Sequence, residues 1–436
     1  MKKRRRRKQT ASFLPKVSLV LHLITRVKRS VVLADVVESV IGSAYLHGSF
    51  DLSYLCVKFF SLGLRWAPLQ DRVAELNARV RLPVSDIPPA LADVEEMLGY
   101  TFVRKLLLIE ALTHASYQQD DQTTSYERME FLGDSVLDMV VTDMLYRAEG
   151  KNYSPGHMHL RKSAVVNGHF LAFVCLRTCL VRMVGMPRPR VDPESASTGG
   201  SGRGRRAVEI EVPEEESIVY FWRCLLHSSP QVLTDQHNTF TRFKARRGEI
   251  EEALSTSKIF PWAALTRLQA SKMFSDMVES VLGAIFLDSG GDFDVVRGVL
   301  YKLGILQVLE RIIRDDVDVL HPVSRLSLWA QKHGKEVSYD YGREKGEISC
   351  IISVDGEEAV IVRDVWRGHV SREEVKYAAA EEAIAKFGLW TTTTAEGRPK
   401  ARSGKNKKKK RSKSGVRLPV PDAAAMVVLE TPAGKE

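Results

Sequence analysis

Four carboxylates, Glu127, Glu130, Asp134 and Asp138, stand inside one apolar run, ERMEFLGDSVLD. At helical pitch each residue turns by about 100°, so offsets of three and seven bring Glu130 and Asp134 within about 60° of Glu127. Asp138 lies one turn beyond Asp134. Phe131, Leu132, Leu137 and Met139 fall mainly on other faces and are expected to pack into a core. This describes a buried helix carrying a carboxylate stripe. Carboxylates so close together repel one another and resist burial unless something positive neutralises them. An acidic stripe is commonly just a solvated helix face, but these flanks are too apolar for that. The expected counter-charge is a divalent cation. Every candidate ligand is an oxygen, with no Cys or nearby His, so magnesium or manganese fits better than zinc.

A second acidic pair, Asp276 and Glu279, sits in SKMFSDMVESVLGAIFLDSGG. The segment has an earlier copy. VLADVVESVIGSAYL matches MFSDMVESVLGAIFL at an offset of 241, pairing Asp35 with Asp276, Glu38 with Glu279, Gly42 with Gly283 and Leu46 with Leu287. The period is too long for a solenoid and reads as a duplicated catalytic module. On the simplest reading, Glu127, Glu130 and Asp134 form one wall of a site and Asp276 and Glu279 the other. Such a cage would hold one or two hard cations, polarise a phosphate and activate a water for in-line attack. The expected reaction is phosphodiester hydrolysis, with the carboxylates holding metal rather than attacking covalently.

These segments need a scaffold, and the chain is long enough to build one. Its 436 residues suit about two to four domains, and its 44% hydrophobic content supports sizeable cores. The net charge of +10 is uneven: residues 2–8 carry +7 and residues 398–436 carry +9, leaving −6 between them. Basic tails suit a polyanion such as RNA, or nuclear import, the alternative being a solvated tail with no specific partner. Five cysteines, Cys56, Cys175, Cys179, Cys224 and Cys350, show no paired spacing, which fits a reducing, intracellular setting in the cytoplasm or nucleus. Residues 17–27 are apolar but too short to span a bilayer, and they lack a small-residue cleavage site; no membrane partner is expected.

In order, residues 1–16 read as a basic disordered leader and 17–70 as helical. Residues 71–90, with Pro83, Pro88 and Pro89, read as a linker. Residues 91–314 are helical around a loop insertion at 186–216 rich in Pro, Gly, Ser and Arg. Residues 319–390 change character. A helix-like start precedes three strand-like runs, VSYDY, ISCIISV and AVIVRDV, and then an Ala-rich helix with Ser371 as a plausible cap. Residues 391–436 form a basic disordered tail.

ERMEFLGDSVLD resembles the signature of the ribonuclease III family, and FSDMVESVLGAIFLDSG resembles its second catalytic segment; LTHASY (112–117) fits as well. Two such domains followed by an α-β-β-β-α module resemble the C-terminal part of Dicer, and YFWRCLLHSSP and PWAALTRL are most similar to fungal Dicer-like proteins of the second type. The resemblance covers about residues 17–390. It implies a mostly α fold, with ribonuclease III helical endonuclease domains and a small double-stranded RNA-binding-like domain at 319–390. It also implies cleavage of double-stranded RNA with Mg2+ or Mn2+, leaving 5′-phosphates and short 3′ overhangs. The implied role is production of small interfering RNA in gene silencing and antiviral defence. By motif position the metal ligands fall on Glu130, Asp276 and Glu279, with Glu127 and Asp134 completing the cluster. Lys272 matches a lysine that the Dicer type carries near the site, where it would help electrostatically at the scissile phosphate.

Departures from the family pattern shape further expectations. Residues 17–70 hold only the second half of a first ribonuclease III domain. No Asp or Glu occurs in residues 1–34, so Asp35 and Glu38 read as a vestigial first centre, and Val31 stands where Lys272 would correspond. The helicase and end-anchoring PAZ domains of Dicer are not found, so the chain reads as a truncated or reduced form. Homodimerisation through residues 91–314 would rebuild two centres; the opposing expectation is a nicking-only or non-catalytic RNA-binding scaffold. In the terminal module, Arg372 and Lys376 remain of the family's basic helix start, as candidate RNA contacts, while Glu373 would repel phosphate. His114, His157, His159 and Asn167 are read as structural, and Arg161 as either a phosphate contact or an ion pair.

Overall fold

Apolar residues at helical spacing dominate the chain, and they fold as helices. The computed structural model describes residues 30–63, 65–78, 90–117, 124–185, 214–344, 347–365 and 372–389. The leader, the proline-rich part of the linker, most of the insertion and the basic tail lie outside the described residues. The first helices are α1 (Ser30–Phe60), α2 (Leu69–Ala78), α3 (Ala90–Leu98), α4 (Lys105–Ala111), α5 (Glu127–Tyr146), α6 (Pro155–Val166) and α7 (Gly168–Arg177). A hairpin of β1 (Cys179–Gly185) and β2 (Glu214–Tyr220) follows. Next come α8 (Pro230–Thr256), α9 (Trp262–Thr266), α10 (Met273–Asp288), α11 (Phe293–Lys302) and α12 (Ile305–Arg314). The last elements are α13 (Pro322–His333), β3 (Val337–Glu344), β4 (Glu347–Val354), β5 (Glu357–Val365) and α14 (Arg372–Lys386).

The larger helical core is built around α10, all sixteen residues of which are buried. It lies against α5, with α7 and α4 on its flanks. MFSDMVESVLGAIFLD is apolar on every face apart from Asp276, Glu279, Asp288 and small residues, which is what a helix enclosed on all sides requires. Its C-terminal Asp288 is itself a structural anchor. The carboxylate accepts from Tyr100 Oη at 2.9 Å and from the backbone N–H groups of Val103 at 2.8 Å and Arg104 at 2.9 Å.

The terminal module has the expected α-β-β-β-α order, with β3-β4-β5 as one antiparallel sheet. Ile348, Cys350, Ile352 and Val354 alternate inward along β4, the period of two that ISCIISV carries. Val375, Ala379, Ala380 and Ala383 of α14 close that core with Leu326 of α13.

Three expectations need correction. The stretch 179–185, read as helical, pairs antiparallel with 214–220 from Cys179↔Tyr220 to Gly185↔Glu214, so the insertion springs from a hairpin. The connector is not wholly irregular, because α2 occupies its start. Val73 is 3% exposed there, and Asn77 Nδ2 donates to the Leu287 carbonyl at 2.7 Å. Phe131 does not enter the core: it is 79% exposed. In α1, Gly48 and Ser49 leave helical geometry and bend the helix. Phe50, just past the bend, stacks on Phe293 with centroids 5.2 Å apart. No described helix is long and apolar enough to cross a membrane.

Candidate metal centre

Two helices remote in sequence carry the site, and glycine lets them meet. A Cβ on Gly133 of α5 would collide with the carbonyl oxygen of Glu279, and one on Gly283 of α10 would collide with that of Met129. The backbones therefore touch at a crossing only glycine permits. Glu130 lies one turn before Gly133, and Glu279 one turn before Gly283, so the crossing itself sets their carboxylates side by side. One oxygen each from Glu130, Asp276 and Glu279 lies within 4.8 Å of the others.

The carboxylates open into a cleft of about 440 Å³ lined by Glu127, Glu130, Phe131, Asp134, Gly168, Lys272, Ser275, Asp276 and Glu279. Burial first, then the charges of Asp134, Asp276 and Glu130, push Glu279 up to about 8. Asp276, 4% exposed, is likewise raised by burial, against a hydrogen bond from Lys272 that lowers it. Burial and the neighbouring Asp138 raise Asp134. A dication would relieve all three, and hard carboxylate oxygens are the donors such an ion takes. The residues present therefore fit the divalent metal that the sequence calls for.

Lys272 supplies the positive charge within reach. Its Nζ donates to Asp276 Oδ1 at 2.7 Å and bridges to Glu130. Burial alone would lower this ammonium, but the bonds to Asp276 and Glu130 outweigh it and hold the group above the ordinary lysine range. Its side chain is 71% exposed, so it stands at the mouth of the cleft.

Every residue named for this site from sequence lines the same cleft. Glu127 and Asp134 stand on its wall outside the trio. Asp138 turns aside to Lys162, 2.5 Å away. Asp35 and Glu38 are exposed on α1, far in character from their buried counterparts on α10. Arg372 and Lys376 lie over the rings of Tyr341 and Tyr339 at 5.5 and 4.8 Å. His114 Nδ1 sits 2.9 Å from Ser116 Oγ, and burial with His227 lowers its pKa. Asn167 caps α7 by accepting from Phe170 N at 2.9 Å. Arg161 is an ion-pair residue, 2.7 Å from Asp316.

Sequence reasoning missed Tyr126 and Ser275. Tyr126 Oη donates to Asp276 Oδ2 at 3.3 Å, and Ser275 Oγ lies 3.3 Å from Asp276 Oδ1. Adjacency to the acidic motifs was the available signal for both. It also overlooked the crossing, which a glycine one turn after each acid announces.

Residues 127–290 match the Ribonuclease III domain, which places that stretch in the ribonuclease III family. Over most of the chain the similarity runs to fungal Dicer-like proteins. Dicer-like protein 2 of Coccidioides immitis (strain RS) is 34% identical over 366 residues, 83% of this chain and 24% of that protein. Dicer-like protein 2 of Aspergillus terreus is 35% identical over 360 residues, 81% of this chain and 24% of its own length. The chain thus spans about a quarter of the curated relatives it matches. The nuclease domain of ribonuclease III from Campylobacter jejuni aligns at 21% identity over 51% of this chain and 96% of that one, with a TM-score of 0.27.

Proposed function

We propose that this chain is a Dicer-like, metal-dependent endoribonuclease that hydrolyses phosphodiester bonds of double-stranded RNA. Its products would be small interfering RNAs for gene silencing and antiviral defence, made inside the cell in the cytoplasm or nucleus. The observation that carries the reading is the convergence of Glu130, Asp276 and Glu279 beside Lys272. Glu130, Asp134, Asp276 and Glu279 would hold Mg2+ or Mn2+, and such a cation, when bound, polarises a phosphate and acidifies water.

The chain's own residues do the rest. Tyr126 steadies Asp276 by donating to its Oδ2, while Ser275 Oγ donates to the Lys272 carbonyl at 2.7 Å and lies beside Asp276 Oδ1. The glycine crossing sets the backbone of Glu279 against α5. Lys272 is free to exchange its carboxylates for the scissile phosphate, at the mouth where that phosphate must lie, and to stabilise its growing charge. Glu127 and Asp134 keep the cleft wall negative, so RNA enters productively only once cation and lysine offset that charge.

The exposure of Asp35 and Glu38 favours a second reading, in which each chain offers one centre and nicks one strand. Among the described residues, a single three-carboxylate cluster is present. Double-strand cuts then require a homodimer through residues 91–314, for which the exposed ring of Phe131 at the cleft rim is an apolar anchor. The test is cleavage of a long RNA duplex by the purified chain with Mg2+ or Mn2+ across protein concentrations. Nicks at low concentration turning to double-strand cuts at high concentration, with 5′-phosphate ends, are expected. Duplex binding without cuts at any concentration would leave the scaffold reading standing instead.

A further inference from the structure

The start of α14 reads Arg372-Glu373-Glu374-Val375-Lys376, acidic where a phosphate-gripping helix would be basic. Of the two acids, Glu374 packs against the loop before Lys272, and Glu373 is exposed. Glu374 is 6% exposed, and its carboxylate accepts from Gln269 Nε2. Glu373 is close enough for its charge to oppose the burial that lowers His169, next to the cleft residue Gly168.

Gln269 belongs to the short loop that leads into Lys272, and its φ of 46° puts a non-glycine residue in the left-handed region. Such a conformation is strained for a non-glycine residue and persists only where its surroundings fix it. Here they do so from two sides. Arg242 of α8 donates from Nε to the Leu268 carbonyl at 2.9 Å and from Nη2 to the Gln269 carbonyl at 3.2 Å. From the other side, Glu374 takes the Gln269 side chain. The half-buried guanidinium and the buried carboxylate also feel one another's charge. Further along α14 the contact continues, as the Tyr377 ring meets His321 at 4.3 Å and His321 meets Trp262 at 5.1 Å.

A carboxylate is expensive to bury unless charge and hydrogen bonds compensate it, and one on an RNA-facing edge would repel phosphates. Both facts are reconciled when the helix start faces protein. We propose that the first turn of α14 is a clamp on the 267–272 loop, with Glu374 and Gln269 acting as positioning residues for Lys272. The terminal module thereby becomes part of the nuclease centre rather than a separate RNA grip. The kinetic side of this proposal rests on the metal-dependent nuclease reading; the docking side does not.

The test uses the full chain carrying Glu374→Lys, Gln269→Glu, or both, with Glu374→Gln as the conservative control. Amide hydrogen exchange is followed over residues 263–272 and 372–386, alongside cleavage of a duplex RNA with Mg2+. Each charged single change is expected to speed exchange in both segments and to lower kcat by about tenfold to a hundredfold, as misplacement of a charge-stabilising group does, with KM little changed. The double change restores an attractive pair and is expected to recover protection and kcat; Glu374→Gln keeps the hydrogen bond and should stay near wild type. If Glu374→Lys instead lowers KM while kcat and exchange hold, the helix start is an RNA edge and the clamp is wrong. A double variant no better than the singles also overturns it. Should the wild-type chain cut nothing, the nuclease reading fails, and the exchange pattern alone still decides the clamp.

Discussion

Replacing Glu279 by glutamine is expected to stabilise the metal-free protein at alkaline pH and to destroy its response to metal. Glu279 is 9% exposed, and its carboxyl is held at about 8 against an ordinary 4.5. At about 1.4 kcal/mol per pKa unit, ionising it in the folded chain costs on the order of 5 kcal/mol. Because the folded state binds this proton more tightly, its contribution favours folding in full below about pH 4.5 and is lost as pH rises towards about 8. Glutamine keeps the shape and carries no such dependence. Thermal and urea unfolding in chelator should therefore show Glu279→Gln more stable than wild type at about pH 9, by at most roughly 5 kcal/mol, and close to it at about pH 5. Adding Mn2+ should reverse the order, because an ion that binds only the folded wild type raises its stability. If wild type and variant unfold together at both pH values in chelator, the crowding of carboxylates around Glu279 is not as described.

Three further perturbations probe separate parts of the site. Lys272→Ala removes the charge that bridges Glu130 and Asp276; Mn2+ titration should show tighter binding, while the cleavage rate at saturating metal falls by about tenfold to a thousandfold. Gly133→Ala inserts a methyl group against the Glu279 carbonyl, where neither helix backbone has room, and should lower stability in denaturant by about 3 kcal/mol or more. Asp288→Ala leaves the Tyr100 hydroxyl and the backbone N–H groups of Val103 and Arg104 without their acceptor and should cost about 1 to 3 kcal/mol in unfolding measurements, with the apparent metal affinity unchanged.

How far the fold could be read from sequence differs by element. The carboxylate stripe was legible because helical pitch alone fixes which acids share a face. The small module was legible because β4 alternates strictly while α14 does not. Phe131 was misread because pitch says which way a side chain points but not what covers that side. The β1–β2 hairpin escaped because a short apolar run such as CLVRMV has no distinguishing period, and its partner lies beyond a long insertion. The helix Leu69–Ala78 was hidden by the prolines that follow it. At the site, the five acids and Lys272 could each be named and their meeting expected, but not the contact that brings it about. That contact is the glycine crossing, between segments about 150 residues apart; each glycine is visible one turn after its acid, but the pairing of the two is not a local pattern. The start of α14 shows the same limit. Glu373 was visible there as an acid that would repel phosphate, and only the packing of α14 on the 267–272 loop gives its neighbour Glu374 a role.

The central claim is that Glu130 on one helix and Asp276 and Glu279 on another hold a shared divalent cation. Electron paramagnetic resonance of Mn2+ titrated into the chelator-stripped chain tests it most directly, comparing wild type with Glu130→Gln, Asp276→Asn and Glu279→Gln. A bound Mn2+ signal in wild type that is lost or strongly weakened in each of the three variants is expected. Undiminished binding after substitution on either helix would contradict the shared site.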